Sequence, residues 1–364
     1  MKYYGLFLFL LSSIAFSKVD SFKEKSKNKS AKILGIDSIQ LESKMRVRVV
    51  ESDNLKSRVF GYIFGIKVRD KVNKETALFF DGMMSLETGS NNEVSSQSEF
   101  SPVDTVDLNE GGIMYSPFSF FSTRVGALNQ KIFQSDLFIT QVAFAGIEET
   151  ISFRNIYLRA MQAIPSNNQL SKRVGTVDQG TPFLSTVTFG LTWDHDFFFQ
   201  GELTGFAFKD LSSGTADASR TFGNSIQGTG NASRFAYEFS GQNTMVKMGY
   251  RISRHEFGAK GQYTYNDKAP EKRNKAFLVK LYYKFDKFKF GLESFKSESD
   301  ASPSFYNSKW YGHNNREGMG YFFNYKQETF KFELAYRKAN EIDENASQYD
   351  QSFFTLFLNK SYFF

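Results

Sequence analysis

Apolar and polar side chains take turns along most of this chain. From Ala276 to Phe285, the residues Phe277, Val279, Leu281, Tyr283 and Phe285 share one face, with Lys280 and Lys284 on the other. After Asp286-Lys287 the pattern resumes, with Phe288, Phe290 and Leu292 set against Lys289 and Glu293. This spacing predicts two strands joined by a two-residue hairpin. The same period of two runs through Val246–Ile252, Phe330–Arg337, Tyr321–Lys326, Phe60–Arg69 and Thr186–Trp193. A period of two puts the apolar set on one side of the pleat and the polar set on the other.

A soluble β-sandwich also alternates, but its strands average about 5–6 residues. Here the patterned stretches run about 9–13 residues, the length a tilted strand needs to cross a bilayer. Their polar faces also carry Lys and Arg in mid-strand, which suits a wet interior. Polar connections at residues 90–110, 166–182, 212–233, 296–318 and 338–349 are long, whereas those at 194–196, 286–287 and 327–329 are tight. Long loops at one end and short turns at the other are the habit of a transmembrane antiparallel β-barrel. The two ends alternate correctly only if Arg234 to Ile252 is one long strand. Counting gives about fifteen strands, and single-chain barrels favour even numbers; the expectation is an all-β barrel of 16 strands, with 14 as the alternative. No period can be fixed from Gly126 to Gly146, and residues 130–146 are read as a segment folded into the lumen.

Composition narrows the class. The 364 residues contain no Cys, three His and 42 Phe, with 17% aromatics, so disulfide frameworks and zinc-thiolate sites are excluded. Mean hydropathy is only -0.40, because the rings come singly between polar neighbours. The formal charge of +6 raises nucleic acid as a partner, but no basic helical stripe or RNP-like motif is present. The first residues, MKYYGLFLFLLSSIAFS, read as an export signal: Lys2 at the start, an apolar run from Gly5 to Leu11, and a small-x-small site at Ala15-Phe16-Ser17. The expected organisation is a signal peptide over 1–17, a polar periplasmic leader over 18–40, and a barrel over 41–364. Without a run of about 18 apolar residues after the signal, a membrane span must be a closed barrel.

At the C-terminus, Phe354, Leu356, Leu358, Tyr362 and Phe364 alternate on one face. A terminal Phe preceded by alternating aromatic and apolar residues resembles the closing strand of Gram-negative outer-membrane porins. Lys360 departs from that pattern, and an interfacial position with a snorkelling side chain accommodates it. The resemblance is one of pattern and covers residues 41–364. It implies that Leu358, Tyr362 and Phe364 form the motif read by the barrel-assembly machinery. It also implies contact with outer-membrane lipid, location in the outer membrane after export through the periplasm, and frequent assembly as a homotrimer.

Candidate chemistry is sparse. Trp193-Asp194-His195-Asp196 places a His between carboxylates, as a general base requires, but a polar turn explains the same residues. His255 and His313 lie in no motif that ties them to a Ser. The loop acids Glu93, Glu99, Asp104, Asp107, Glu110, Glu298 and Asp300 lack any EF-hand spacing. The polar face is the better clue. Arg46, Arg48, Lys67, Arg69, Lys247, Arg251, Lys260, Lys280, Lys284, Lys326, Lys331 and Arg337 are the candidate pore-lining residues, with Lys289 beside them. Glu202, Glu238, Glu256, Glu293 and Glu333 offset part of that charge. Fixed charges along a pore bias which ions pass, so these residues predict a mild anion preference; mutual pairing across strands is the competing account. The expected function is a non-enzymatic, cofactor-free channel for passive diffusion of small polar solutes, narrowed by residues 130–146 or 90–110. A substrate-specific transporter, a rim hydrolase and a structural or adhesive barrel are the alternatives.

Overall fold

The computed structural model describes residues 36–52, 55–92, 100–130, 136–140, 142–166, 180–344 and 348–364; the expected signal peptide and most of the leader lie outside them. The strands in order are β1 (Ser38–Glu51), β2 (Lys56–Lys71), β3 (Thr76–Asn91), β4 (Thr105–Phe118), β5 (Phe121–Asn129), β6 (Ala143–Phe153), β7 (Ile156–Ile164), β8 (Phe183–Asp194) and β9 (Phe197–Lys209). Then come helix α1 (Ser213–Thr221), a small ribbon of β10 (Ile226–Gln227) and β11 (Arg234–Phe235), and β12 (Ser240–Ile252), β13 (His255–Asn266), β14 (Lys275–Phe285), β15 (Phe288–Ser297), β16 (Arg316–Lys326), β17 (Phe330–Glu341) and β18 (Gln351–Phe363). All except β10 and β11 form one closed sixteen-stranded barrel, in which β9 pairs directly with β12 and β18 returns to β1.

Closure is antiparallel, with Met45 opposite Leu358 and Leu41 opposite Tyr362. The last backbone bonds run between Ile39 and Phe364 in both directions, at 3.3 and 2.9 Å. The barrel therefore starts at Ser38, ahead of the boundary expected at Leu41, because the terminal Phe needs a partner there. Two further expectations are corrected. Ala143–Gly146 belongs to the wall strand β6, not to the inward segment. Arg234–Phe235 is part of the small ribbon, and β12 starts only at Ser240, so Glu238 lies ahead of the strand.

The faces separate cleanly. Leu78, Phe80, Val125, Ile147, Phe189, Leu281 and Leu292 are exposed on the outside, as lipid contact requires. The opposite face carries the charged side chains. The connections β2–β3, β4–β5, β6–β7, β8–β9, β12–β13, β14–β15 and β16–β17 take two to four residues. Longer ones gather at the other end. Asp286, at φ 51°, opens the Asp286–Lys287 turn in the left-handed region, which Asp tolerates through local hydrogen bonds. Among the described residues, no helix is long and apolar enough to cross a membrane.

At the long-loop end, residues 210–239 and 298–315 pack against each other. Asn224 Nδ2 donates to the carbonyls of Ser299 and Ser302, at 2.6 and 3.0 Å. Asp300 accepts from Ser225 N and Oγ, at 2.9 and 2.7 Å. The His313 ring stacks on Phe222 at 4.2 Å. Backbone polar groups in these loops are thus satisfied internally.

Because Leu281 faces outward near the middle of β14, Leu281→Lys should lower the free energy of unfolding in lipid vesicles by about 2–4 kcal/mol. Titration with denaturant checks this, and a cost near zero would mean that this face is not in hydrocarbon.

Candidate functional site

The inner wall is a charged surface organised around buried glutamates. Glu87 on β3 receives both Arg46 and Arg48 of β1. Glu42 accepts from Lys44 at 2.6 Å and Lys67 at 3.2 Å, and Lys67 also reaches Asp81 at 3.4 Å. Arg124 lies between Glu110 (2.9 Å) and Glu148 (3.5 Å), with Arg159 on the far side of Glu148 at 4.0 Å. Glu293, whose side chain is 0% exposed, holds Lys280 at 3.2 Å and Arg337 at 2.5 Å, and the Tyr311 hydroxyl donates to it at 2.8 Å. Charges so buried are tolerated because each lies against an opposite charge.

Across this wall runs residues 136–140, the described part of the connection between β5 and β6. Leu137 and its successor Phe138 pack against opposite walls. Leu137 is buried with Val50, Leu278, Phe295 and Phe353. Phe138 and Ile139 are buried with Phe144, Met161, Phe206 and Phe208. Polar contacts fix the same segment: Lys280 Nζ to Asp136 at 2.9 Å, Ser302 Oγ to the Leu137 carbonyl at 3.1 Å, and Thr140 N to the Tyr306 carbonyl at 2.9 Å. Burial works against ionisation of Asp136, but Lys280 and then Lys260 outweigh it and hold the carboxyl at about 2. Residues of the other suspected constriction also turn inward: the Phe100 carbonyl accepts from Arg48 at 2.9 Å and from Ser57 Oγ at 2.6 Å. Two apolar clusters thus gather around this segment on the inner face of the long-loop half.

The register sets all twelve candidate lining residues on the face opposite the exposed apolar side chains. They do not form one continuous set. Arg46, Arg48, Lys67, Lys280 and Arg337 sit in the ion pairs above. Arg251 joins Asp194 at 2.5 Å and Glu256 at 3.3 Å, and Lys331 pairs with Glu333. Lys247, Lys260 and Lys280 are direct neighbours on β12, β13 and β14. Lys284 lies opposite Lys289, and Lys326 opposite Lys331; Arg69 is exposed near the short-turn end. Missing from the sequence reading were Arg124, Arg159, Glu42, Glu87, Glu148 and Asp136. Of these, only Asp136 falls inside the stretch Gly126–Gly146 where no period could be read, and Arg124 and Glu148 flank it. Glu42 and Glu87 needed the β1–β3 register to be recognised.

The catalytic-looking cluster is a turn. His195 is exposed, its ring 5.1 Å from Trp193, and Asp194 is engaged by Arg251. His255 Nδ1 bonds Tyr283 Oη at 2.7 Å on the outer face, and His313 is buried between Ser304 O and Asn307 Oδ1. Asp104 accepts from Glu87 N at 2.9 Å, Glu110 pairs with Arg124, and Glu298 accepts from Lys275 N at 3.0 Å. Glu93 and Glu99 lie outside the described residues. Among the described residues, no group of three or more His, Asp or Glu is arranged to hold a metal ion.

The closed sixteen-stranded antiparallel barrel, apolar outside and ionic inside, has the fold of outer-membrane porins. Solved structures agree. OprB of Pseudomonas putida matches at a TM-score of 0.59 with 11% identity, over 91% of this chain and 95% of that one. OmpF of Salmonella typhi, solved in complex with daunomycin, matches at 0.51 with 12% identity, over 90% and 98%. OpdK of Pseudomonas aeruginosa, solved with vanillate, matches at 0.50 with 9% identity, over 90% and 98%. No family model matches the chain, and no curated protein matches it in sequence.

Two predictions follow from the Glu293 and Asp136 contacts. Glu293→Gln leaves Lys280 and Arg337 facing each other without their shared carboxylate, and unfolding in detergent should become easier by about 3 kcal/mol. The Asp136–Lys280 bridge, built on a depressed carboxyl pKa, is fully present above the unfolded value of about 3.9 and is lost as pH falls toward about 2. Bilayer conductance should accordingly stay constant from pH 8 to about 4 and change only below that; a change centred near neutrality would assign the bridge no part in holding the segment.

Proposed function

We propose that the chain is a channel of the Gram-negative outer membrane through which small polar solutes pass by diffusion, with a mild preference for anions. The observation that carries this reading is the segregation of side chains: the exterior is apolar all round, while the short-turn half of the interior is lined by charge. The crossing segment supports it, since residues 136–140 narrow the interior at the level of the Lys280–Glu293–Arg337 cluster. Anion preference is supported by the β12–β15 wall, where Lys247 faces Lys260 and Lys284 faces Lys289. The twelve candidate residues act as lining around the barrel, and no chemical step is involved.

The remaining assignments belong to the same proposal. Residues 1–17 direct export, residues 18–40 include a periplasmic leader, and the short-turn end faces the periplasm. Leu358, Tyr362 and Phe364 are the contact with the assembly machinery; the outward-facing Leu358 and Tyr362 on the closing strand are consistent with that. Homotrimerisation is part of the same reading.

Liposomes containing refolded, signal-free protein should swell in isotonic small sugars, and more slowly as sugar size rises. Swelling no faster than in protein-free liposomes would overturn the channel. In a planar bilayer with a potassium chloride gradient, the reversal potential should have the sign of chloride permeation; a cation-selective sign would remove the anion preference while leaving the channel intact.

A further inference from the structure

We propose that the short-turn mouth of the interior holds a subsite for compact multivalent oxyanions, built by Lys284, Lys289 and Lys326. The idea deepens the channel reading and rests on it, because solutes reach this wall through the barrel. Lys284 and Lys289 stand directly opposite each other on β14 and β15. Like charges in that relation destabilise a sheet, so their pairing has no structural rationale of its own. Among the described residues, neither they nor Lys326 has a carboxylate within ion-pair distance. The acids that face them are already engaged. Glu256, the cross-strand partner of Lys284, accepts from Arg251 at 3.3 Å and from the Tyr282 hydroxyl at 3.0 Å. Glu333 is taken by Lys331.

The Lys289 ammonium group is also held in place. Lys289 Nζ rests 3.6 Å from the centroid of the Tyr282 ring. That ring lies flat across Gly258, where an added Cβ would come within 2.3 Å of it, and its hydroxyl is tied to Glu256. Lys284 and Lys326 line a common cleft of about 520 Å³ with Asp286, Lys287, Gln327 and Glu328. The backbone bond from Lys326 N to the Lys287 carbonyl, 3.0 Å, joins the two turns that frame it. Asp286 and Glu328 reduce the excess positive charge at the rim without pairing with these three lysines. The donors here are lysines, point charges with no planar fork, which suits oxyanions bearing charge in three dimensions over flat carboxylates. An anion with two or more charges can answer several ammonium groups at once; chloride answers one.

The test uses the full barrel and inorganic pyrophosphate as probe. Added on the short-turn side of a bilayer, pyrophosphate should lower the chloride current. The double variant Lys284→Gln/Lys289→Gln should raise the half-blocking concentration by about tenfold, the equivalent of ~1.4 kcal/mol, while Lys56→Gln, at the opposite end of the barrel, should leave it nearly unchanged. Titration calorimetry on the detergent-solubilised protein should give binding heat that the double variant loses. Equal block of wild type and double variant, or absence of binding heat in the wild type, overturns the subsite. A wild type that conducts no current overturns the channel instead, and the calorimetric comparison still decides the subsite.

Discussion

Hydrocarbon offers a backbone no water to bond with, so a chain that crosses it by strands must pair every strand on both sides. In this molecule that demand reaches the last residue. β18 returns to β1 over its length, and Phe364 exchanges backbone bonds with Ile39. Once the cylinder is closed, the period of two assigns each side chain to lipid or to the interior. A slip of one residue would move Lys280 and Lys284 of β14 into lipid. The register is therefore held by the alternation itself, and the two-residue turns at the short end add a second constraint.

Closure creates a second problem, an interior surface on which charges crowd together. The barrel solves it with shared acceptors. Glu42 takes Lys44 and Lys67, Glu87 takes Arg46 and Arg48, Glu148 takes Arg124 and Arg159, and Glu293 takes Lys280 and Arg337. Asp81, Glu110 and Asp136 supply a second acid to the Glu42, Glu148 and Glu293 nodes, so only the Glu87 node keeps a surplus cation. Pairing thus neutralises most of these charges, and the proposed anion preference rests on lysines outside the nodes. Lys284 and Lys289 depart from the pattern: they face each other with no shared acid.

The barrel was legible where lipid-facing residues are large. β14, β15 and β17 read as strands because Phe, Leu and Tyr mark every second position, and the even strand number followed from the family pattern. The signal weakened from β5 to β7, where Gly126, Ala127, Ala145, Gly146, Ala160 and Ala163 blur the alternation. Small residues carry little hydropathy contrast, although Gly126 and Gly146 face each other across a tight β5–β6 pairing. The long loops hid more. The sequence of residues 210–239 does not announce that Ser225 and Asp300 will meet 75 residues apart, since such contacts depend on loop ends that the barrel brings together. The same holds for the candidate site: its cations stood out from alternation alone, whereas Glu42, Glu87 and Asp136, the acids that organise them, are visible only through register and loop placement.

The crossing segment shows why inward folding and closure belong together. A short peptide inside a wet cylinder would lose its backbone bonds to water and its entropy to ordering. Residues 136–140 avoid this by apolar anchoring at both ends of their reach. Leu137 enters the cluster on the β14, β15 and β18 walls, and Phe138 enters the one on the β6 to β9 walls. Each wall supplies side chains that would otherwise face water on a polar lumen, so the apolar inward residues Phe206, Phe208, Phe295 and Phe353 are explained by the strut and not by the lipid. Asp136 adds direction: it ties the strut to Lys280, the cation that Glu293 also holds. The strut sits beside the Glu293 ion cluster, whose carboxylate is fully buried, so low dielectric strengthens the charge contacts that hold it.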